Sequence, residues 1–113
     1  MDQTERIRKL LTDAYHYAKQ AFDMCYDNDV RPSNIAMALS FAANCTSQYA
    51  AAAAIYLADP KLDDERISAI LKQFEVFTAE IRKLQKQTKR NNTGMHIEFE
   101  YLEELLCENG YTI

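Results

Sequence analysis

Histidines are the side chains of this sequence whose ordinary pKa lies closest to neutral pH, which makes them the first candidates for acid–base chemistry. His16 follows Asp13 and precedes Gln20 by about one helical turn each, so the three side chains share one face of a helix. A carboxylate at that distance can orient an imidazole, but such combinations are common on exposed helix surfaces. We therefore interpret His16 as a surface residue.

The second histidine ends the segment Arg90-Asn91-Asn92-Thr93-Gly94-Met95-His96. This segment resembles the motif of the HEPN family of small helical proteins (higher eukaryotes and prokaryotes nucleotide-binding). Ribonucleases of that family use an arginine, usually followed by a polar residue, and a histidine after four to six intervening positions. Arg90, Asn91 and His96 fit the pattern, so Arg90 and His96 are the candidate catalytic residues.

The HEPN resemblance implies a bundle of about four helices and a homodimer in which two copies of the motif meet to cut RNA without a metal ion. His96 would act as a general acid or base or contact the scissile phosphate, and Arg90 would stabilise the developing charge. The glycine and the asparagines between them indicate a loop.

A second group of candidates is a cluster of five basic residues in 82–90, a segment without acidic residues. Such side chains could contact the phosphates of a nucleic acid. They could equally stabilise the carboxyl end of a helix, with the glutamates of the tail folded back beside them. We favour the second interpretation because the chain carries a net charge of −4. The phosphate-contact candidates are Arg82, Lys83, Lys86 and Lys89, and the glutamates are Glu98, Glu100, Glu103, Glu104 and Glu108.

The three cysteines, Cys25, Cys45 and Cys107, are far apart in the chain and form no Cys-x-x-Cys pair. This spacing argues against a disulfide framework and against a zinc site. We predict no metal site and no cofactor. The polar residues that follow Met1 do not resemble a secretory signal, so we expect a cytoplasmic protein.

The elements that must position these residues are helices, because 113 residues with two glycines and two prolines offer few turns. Apolar residues recur at three- and four-residue steps. The pattern predicts helices over about 3–27, 34–58, 63–90 and 96–108, although 96–101 also alternates as a strand would. The predicted fold is an all-α single domain over 1–113, a bundle of three long antiparallel helices plus a short C-terminal fourth helix.

The second predicted helix contains no charged residue. Polar residues at its middle argue against a membrane span, so we expect no membrane partner. One of its ridges consists entirely of small residues at alternating steps of four and three, which lets another helix approach closely. That neighbour is either the tail of the same chain or a second copy, and we favour a homodimer. The predicted dimer interface is Ala36, Ser40, Ala43, Ser47, Ala50 and Ala54.

These patterns together favour a small interaction or regulatory protein that acts as a homodimer, without catalytic activity and with an unidentified protein partner. The alternative is a HEPN-like, metal-independent ribonuclease, or an inactive relative, that uses Arg90 and His96. RNA is an expected partner only under that alternative.

Overall fold

The fold, described by a computed structural model for residues 2–113, contains four α-helices and, within those residues, no β-strand. The predicted all-α class is therefore confirmed. A short 3-10 helix, Pro60–Leu62, lies between the second and third α-helices. The α-helices are α1 (Gln3–Met24), α2 (Pro32–Ala58), α3 (Glu65–Lys86) and α4 (Thr93–Glu108).

Two helices begin at an aspartate whose side chain caps the first turn. The Asp2 carboxylate accepts a hydrogen bond from the Glu5 backbone N–H at 2.8 Å, and Asp64 accepts one from the Arg66 N–H at the same distance. Each satisfies an amide that would otherwise have no partner in the first helical turn. The start of α2 differs from the prediction, because Pro32 is its first residue. Proline suits that position, where its missing N–H costs nothing.

The junction of α3 and α4 also differs from the prediction. The third helix stops at Lys86, and α4 begins at Thr93 instead of His96, so residues 96–101 are helical. Gly94 lies inside α4 although the segment was predicted as a loop. A Cβ atom at Gly94 would lie 2.8 Å from the Glu80 Oε2 atom. Glycine therefore leaves room for the Glu80 carboxylate beside the first turn of α4.

Aromatic rings form the centre of the hydrophobic core. Phe22 and Phe99 are stacked, with ring centroids 4.2 Å apart, and Phe77 packs on Phe99 at 5.3 Å. The core continues toward α2 through Tyr49 and Phe74, whose rings are stacked at 5.8 Å. Side chains from all four helices thus contribute to one core.

The last helix runs antiparallel to the first. The start of α4 lies at the end of α1, where Asn92 bonds to the Cys25 carbonyl. At the other end, the Arg8 guanidinium donates to the Asn109 carbonyl at 2.8 Å. The helix α4 packs mainly on α3 and α1, whereas α2 packs mainly on α1 and α3. None of the helices in residues 2–113 has the length and apolar character that a membrane crossing requires.

Candidate functional site

The predicted catalytic motif lies where the end of α1 meets the start of α4, a region we call the α1–α4 junction. Asn92 is its central residue and is only 5% exposed. Its amide nitrogen donates to the Cys25 carbonyl at 2.9 Å and to the Tyr26 carbonyl at 2.8 Å, and its backbone N–H donates to the Asn28 side chain. Carbonyls at the end of a helix have no partner within the helix. Asn92 supplies that partner and fixes α4 to α1.

His96 is part of the same junction. Its ring packs edge-on against the rings of Phe22 and Tyr26, with both pairs of centroids 4.9 Å apart. Its Nε2 atom lies 2.9 Å from the Tyr26 carbonyl oxygen. Because a carbonyl oxygen only accepts hydrogen bonds, Nε2 must carry the hydrogen and donate it. In the neutral ring the remaining nitrogen, Nδ1, then carries no hydrogen.

Arg90 is partly buried, and its Nε atom is buried without a hydrogen-bond partner among residues 2–113. Its positive charge acts on Cys25, a buried residue of the junction. Burial raises the pKa of the Cys25 thiol, and the guanidinium partly counteracts that rise. Arg90 and His96 are therefore both close to the end of α1.

Asn91, the polar residue of the HEPN-like motif, has a structural contact. Its side-chain oxygen accepts a hydrogen bond from the Thr93 backbone N–H at 3.0 Å, in the first turn of α4. Asn91 thus acts on the start of α4 in the way that N-capping residues do. Each of the polar residues Asn91, Asn92 and His96 holds backbone atoms in place.

The phosphate-contact candidates lie in the last turns of α3 and just after it, and all of them are exposed. Lys83 donates to Glu80 at 2.9 Å. No salt bridge within residues 2–113 joins this basic cluster to the glutamates of the tail, so the fold-back contacts considered from the sequence are not formed. Instead, Glu103 accepts a hydrogen bond from the Tyr15 hydroxyl at 2.6 Å. The four phosphate-contact candidates are Arg82, Lys83, Lys86 and Lys89.

The small residues of the predicted dimer interface form one exposed ridge on α2, which we call the α2 ridge. All six are exposed, and α4 does not cover them. Leu57, which lies seven residues after Ala50, is 79% exposed. The opposite side of α2 contributes Ile35, Ala38 and Cys45 to the core. The ridge is Ala36, Ser40, Ala43, Ser47, Ala50 and Ala54.

The other histidine and the cysteines do not form a second candidate site. His16 is exposed, and it borders a shallow surface groove with Asp13, Tyr17 and Gln48. In the part of the chain from residue 2 onward, no three histidine, cysteine or acidic side chains are grouped as a metal site requires. Burial raises the pKa of the Cys45 thiol to about 12, which keeps that thiol protonated at neutral pH.

Sequence reasoning missed the residues that organise the α1–α4 junction. Asn92 lies in the segment that the sequence indicated as a loop, and its hydrogen bonds to Asn28 and Cys25 join positions 64 and 67 residues apart. A single asparagine in a loop has no pattern that identifies such a partner. The only signal in the sequence was a short polar segment between two amphipathic helices.

Comparison with protein-family models, with curated protein sequences and with solved structures finds no match for this chain.

Proposed function

We propose that this chain is a small cytoplasmic interaction protein without catalytic activity, which pairs with a second copy of itself through the α2 ridge. The observation that carries the proposal is that all six ridge side chains are exposed, while the opposite side of α2 is buried against the core. A solvent-facing side of a long helix usually carries charged residues. The absence of charge along α2 needs another explanation, and a partner helix provides one.

Charge supports a second copy as that partner. The chain carries a net charge of −4, so most self-contacts would bring like charges together. The helix α2 contains no aspartate, glutamate, lysine, arginine or histidine from Pro32 to Ala58. Two copies can therefore meet along this helix without electrostatic repulsion at the contact.

The spacing of the α2 ridge suits a two-fold, antiparallel pair of helices. Ala36, Ala43 and Ala50 repeat every seven residues, which is the repeat of helices that pack side by side as in a coiled coil. A two-fold axis at the middle of the ridge places Ala43 opposite the partner's Ser47. The same axis brings Leu57, the large apolar side chain that continues this row, against the start of the partner's α2. Small side chains permit an axial separation near the short limit of about 8 Å.

The double substitution Ala43→Leu with Ala50→Leu tests the proposed dimer. Bulky side chains on the ridge should force the two backbones apart, so sedimentation velocity should show the wild type as a dimer and the variant as a monomer. Ala69→Leu places the same side chain on the exposed surface of α3 and serves as the control. A wild type that sediments as a monomer up to high micromolar concentration would refute the proposal.

The second candidate function is a HEPN-like, metal-independent ribonuclease. It is favoured by the position of Arg90 and His96 close to the end of α1, and by the free Nδ1 atom of the neutral His96 ring. The α2-paired dimer does not suit it, however. The α1–α4 junction lies close to the start of α2, so antiparallel pairing separates the two junctions by about the length of α2, roughly 40 Å. A ribonuclease of this type would need a different dimer.

Cleavage of a single-stranded RNA by the purified protein distinguishes the two functions. His96→Gln is the informative variant, since a glutamine amide can still donate to the Tyr26 carbonyl but cannot transfer a proton. Under the ribonuclease hypothesis the wild type cleaves and His96→Gln does not. Absence of cleavage by the wild type, or equal cleavage by both proteins, would exclude that hypothesis.

A further inference from the structure

A partly enclosed cavity lies at the end of the bundle opposite the α1–α4 junction, between the start of α1, the start of α3 and the residues that follow α4. Its volume is about 140 Å³. Ile7, Ile67 and Ile70 form an apolar part of its wall. The polar residues that line it are Thr4, Arg8, Asp64, Arg66, Asn109 and Tyr111.

The Arg8 guanidinium is held in place at this cavity. Its central carbon lies 4.5 Å from the centre of the Tyr111 ring. Two of its nitrogens donate to backbone carbonyls, at 2.8 Å to Asn109 and at 3.4 Å to Gly110. A guanidinium has five N–H donors, so three remain for another partner. A fixed cation with free donors needs little reorganisation to bind an anion.

Arg66 supplies a second guanidinium to the cavity. Its Nε and Nη2 atoms donate to the Asp64 carboxylate at 3.2 and 3.1 Å, and three N–H donors again remain. Asp64 neutralises one of the two positive charges. The lining therefore carries a net charge of about +1 at neutral pH, although the chain as a whole is acidic.

Tyr111 adds a neutral donor. Its side chain is 8% exposed, and its hydroxyl has no hydrogen-bond partner within the described residues. Burial raises the pKa of this hydroxyl, Arg8 lowers it, and Asp64 raises it further. The hydroxyl therefore stays protonated at neutral pH and can donate a hydrogen bond to an acceptor in the cavity.

We infer that this cavity, which we call the Arg8–Arg66 cavity, binds a small carboxylate with a compact apolar body. The isoleucines suit an apolar group, and a buried cavity of roughly 150 Å³ accommodates a benzene ring. The flat, forked guanidinium matches the geometry of a carboxylate. A dianionic phosphate is less suitable, because Asp64 lies on the same lining and would repel the second negative charge. This inference does not depend on the proposed homodimer.

Benzoate is the probe, since it combines one carboxylate with one ring. In a titration followed by amide NMR shifts, benzoate should produce saturable changes at Ile7, Arg66 and Asn109. Acetate keeps the charge without the ring, and benzyl alcohol keeps the ring without the charge. Each should bind at least about tenfold more weakly, since loss of either contact removes about 1.4 kcal/mol or more. Equal binding of all three probes, or shifts that do not saturate, would overturn the inference.

Arg8→Gln should weaken benzoate binding by about fivefold or more, through loss of the charge-assisted hydrogen bond. Arg6→Gln is the matched control, because Arg6 lies on the same helix and does not line the cavity. Arg8 also contacts the residues after α4, so Thr4→Trp provides a separate test that fills the cavity from an exposed position. Thr4→Trp should abolish the benzoate-induced shifts while the rest of the spectrum stays that of the folded protein. Unchanged binding in either Arg8→Gln or Thr4→Trp would refute the site.

Discussion

The α1–α4 junction and the α2 ridge are opposite in their chemistry. At the junction, the polar side chains contact backbone carbonyls. Asn92 donates to the carbonyls of Cys25 and Tyr26, and the catalytic candidate His96 contacts the Tyr26 carbonyl. On the α2 ridge, alanine and serine side chains without catalytic potential are exposed, and no other helix within residues 2–113 covers them. The residues that looked reactive thus have structural partners, and the residues that looked inert lack one.

This difference shows that residue type alone is a poor guide to a functional surface. A histidine whose Nε2 atom donates to a backbone carbonyl has only one ring nitrogen left for chemistry. A row of alanines and serines has no chemistry of its own, but it offers a close-packing surface if a second helix is available. A surface that has no packing partner in the folded chain indicates a functional surface better than residue type does.

The largest expected effect concerns the junction. Asn92→Ala removes both hydrogen bonds to the end of α1 and leaves the Cys25 carbonyl buried without a partner. The free energy of unfolding should fall by about 2–3 kcal/mol, the usual cost of an unsatisfied buried polar group together with the lost contact. Urea denaturation followed by circular dichroism measures this change. Gln85→Ala, an exposed position near the end of α3, should change the free energy of unfolding by less than about 0.5 kcal/mol. Similar values for both variants would mean that Asn92 does not hold α4 to α1.

A smaller effect is expected where α4 meets the middle of α1. Tyr15→Phe removes the hydrogen bond to the Glu103 carboxylate and should lower the free energy of unfolding by about 1 kcal/mol. Burial and the bond to Glu103 raise the pKa of Tyr15 in the folded state. The stabilisation from the neutral hydroxyl is therefore complete below about pH 10 and is lost as the pH rises further.

The pH dependence provides the specific measurement for Tyr15. Between pH 9 and pH 11, the free energy of unfolding should decrease more steeply for the wild type than for Tyr15→Phe. Tyr101→Phe alters an exposed tyrosine of α4 and should keep the slope of the wild type. If all three proteins lose stability in parallel, Tyr15 does not titrate with a raised pKa.

The smallest expected effect on folding concerns the α2 ridge. Ser47→Lys places a charge on an exposed helical position, where the helix propensities of serine and lysine differ by less than about 0.5 kcal/mol. At a protein concentration below the dimer dissociation constant, the free energy of unfolding should therefore change by less than that amount. Ser68→Lys, on the exposed surface of α3, is the control. A loss of more than about 1 kcal/mol for Ser47→Lys alone would mean that the chain covers its own ridge, in contrast to the arrangement described above.

Much of the fold could be predicted because helices in this chain follow local rules. Asp2 and Asp64 cap the helices through hydrogen bonds to residues two or three positions later, and the apolar stripe of α3 enters the core at Ile70, Phe74 and Phe77. The predicted helix boundaries are wrong where a contact with another helix outweighs the local sequence pattern. Gly94 and its neighbours looked like a loop, but Gly94 lies in the first turn of α4 and leaves room there for the Glu80 carboxylate.

The candidate sites were predicted less completely, because their geometry depends on distant parts of the chain. The small residues of α2 could be grouped on one face from their spacing alone, and that face is exposed. Nothing in the sequence indicated that His96 would contact the Tyr26 carbonyl, 70 residues away. The Arg8–Arg66 cavity likewise combines residues from both ends of the chain and has no local signature.

The contacts between α1 and α4 have a consequence for the order of folding. Hydrogen bonds join residues 67, 88 and 101 positions apart, namely Asn92 to Cys25, Tyr15 to Glu103 and Arg8 to Asn109. Closing such long segments costs conformational entropy before any contact forms. Pairs of helices that are neighbours in the chain do not bear that cost, so α1 can associate with α2, and α3 with α4, before the contacts between α1 and α4 form. During synthesis, the apolar surface of α1 that contacts Phe99 therefore stays uncovered until the last helix has emerged.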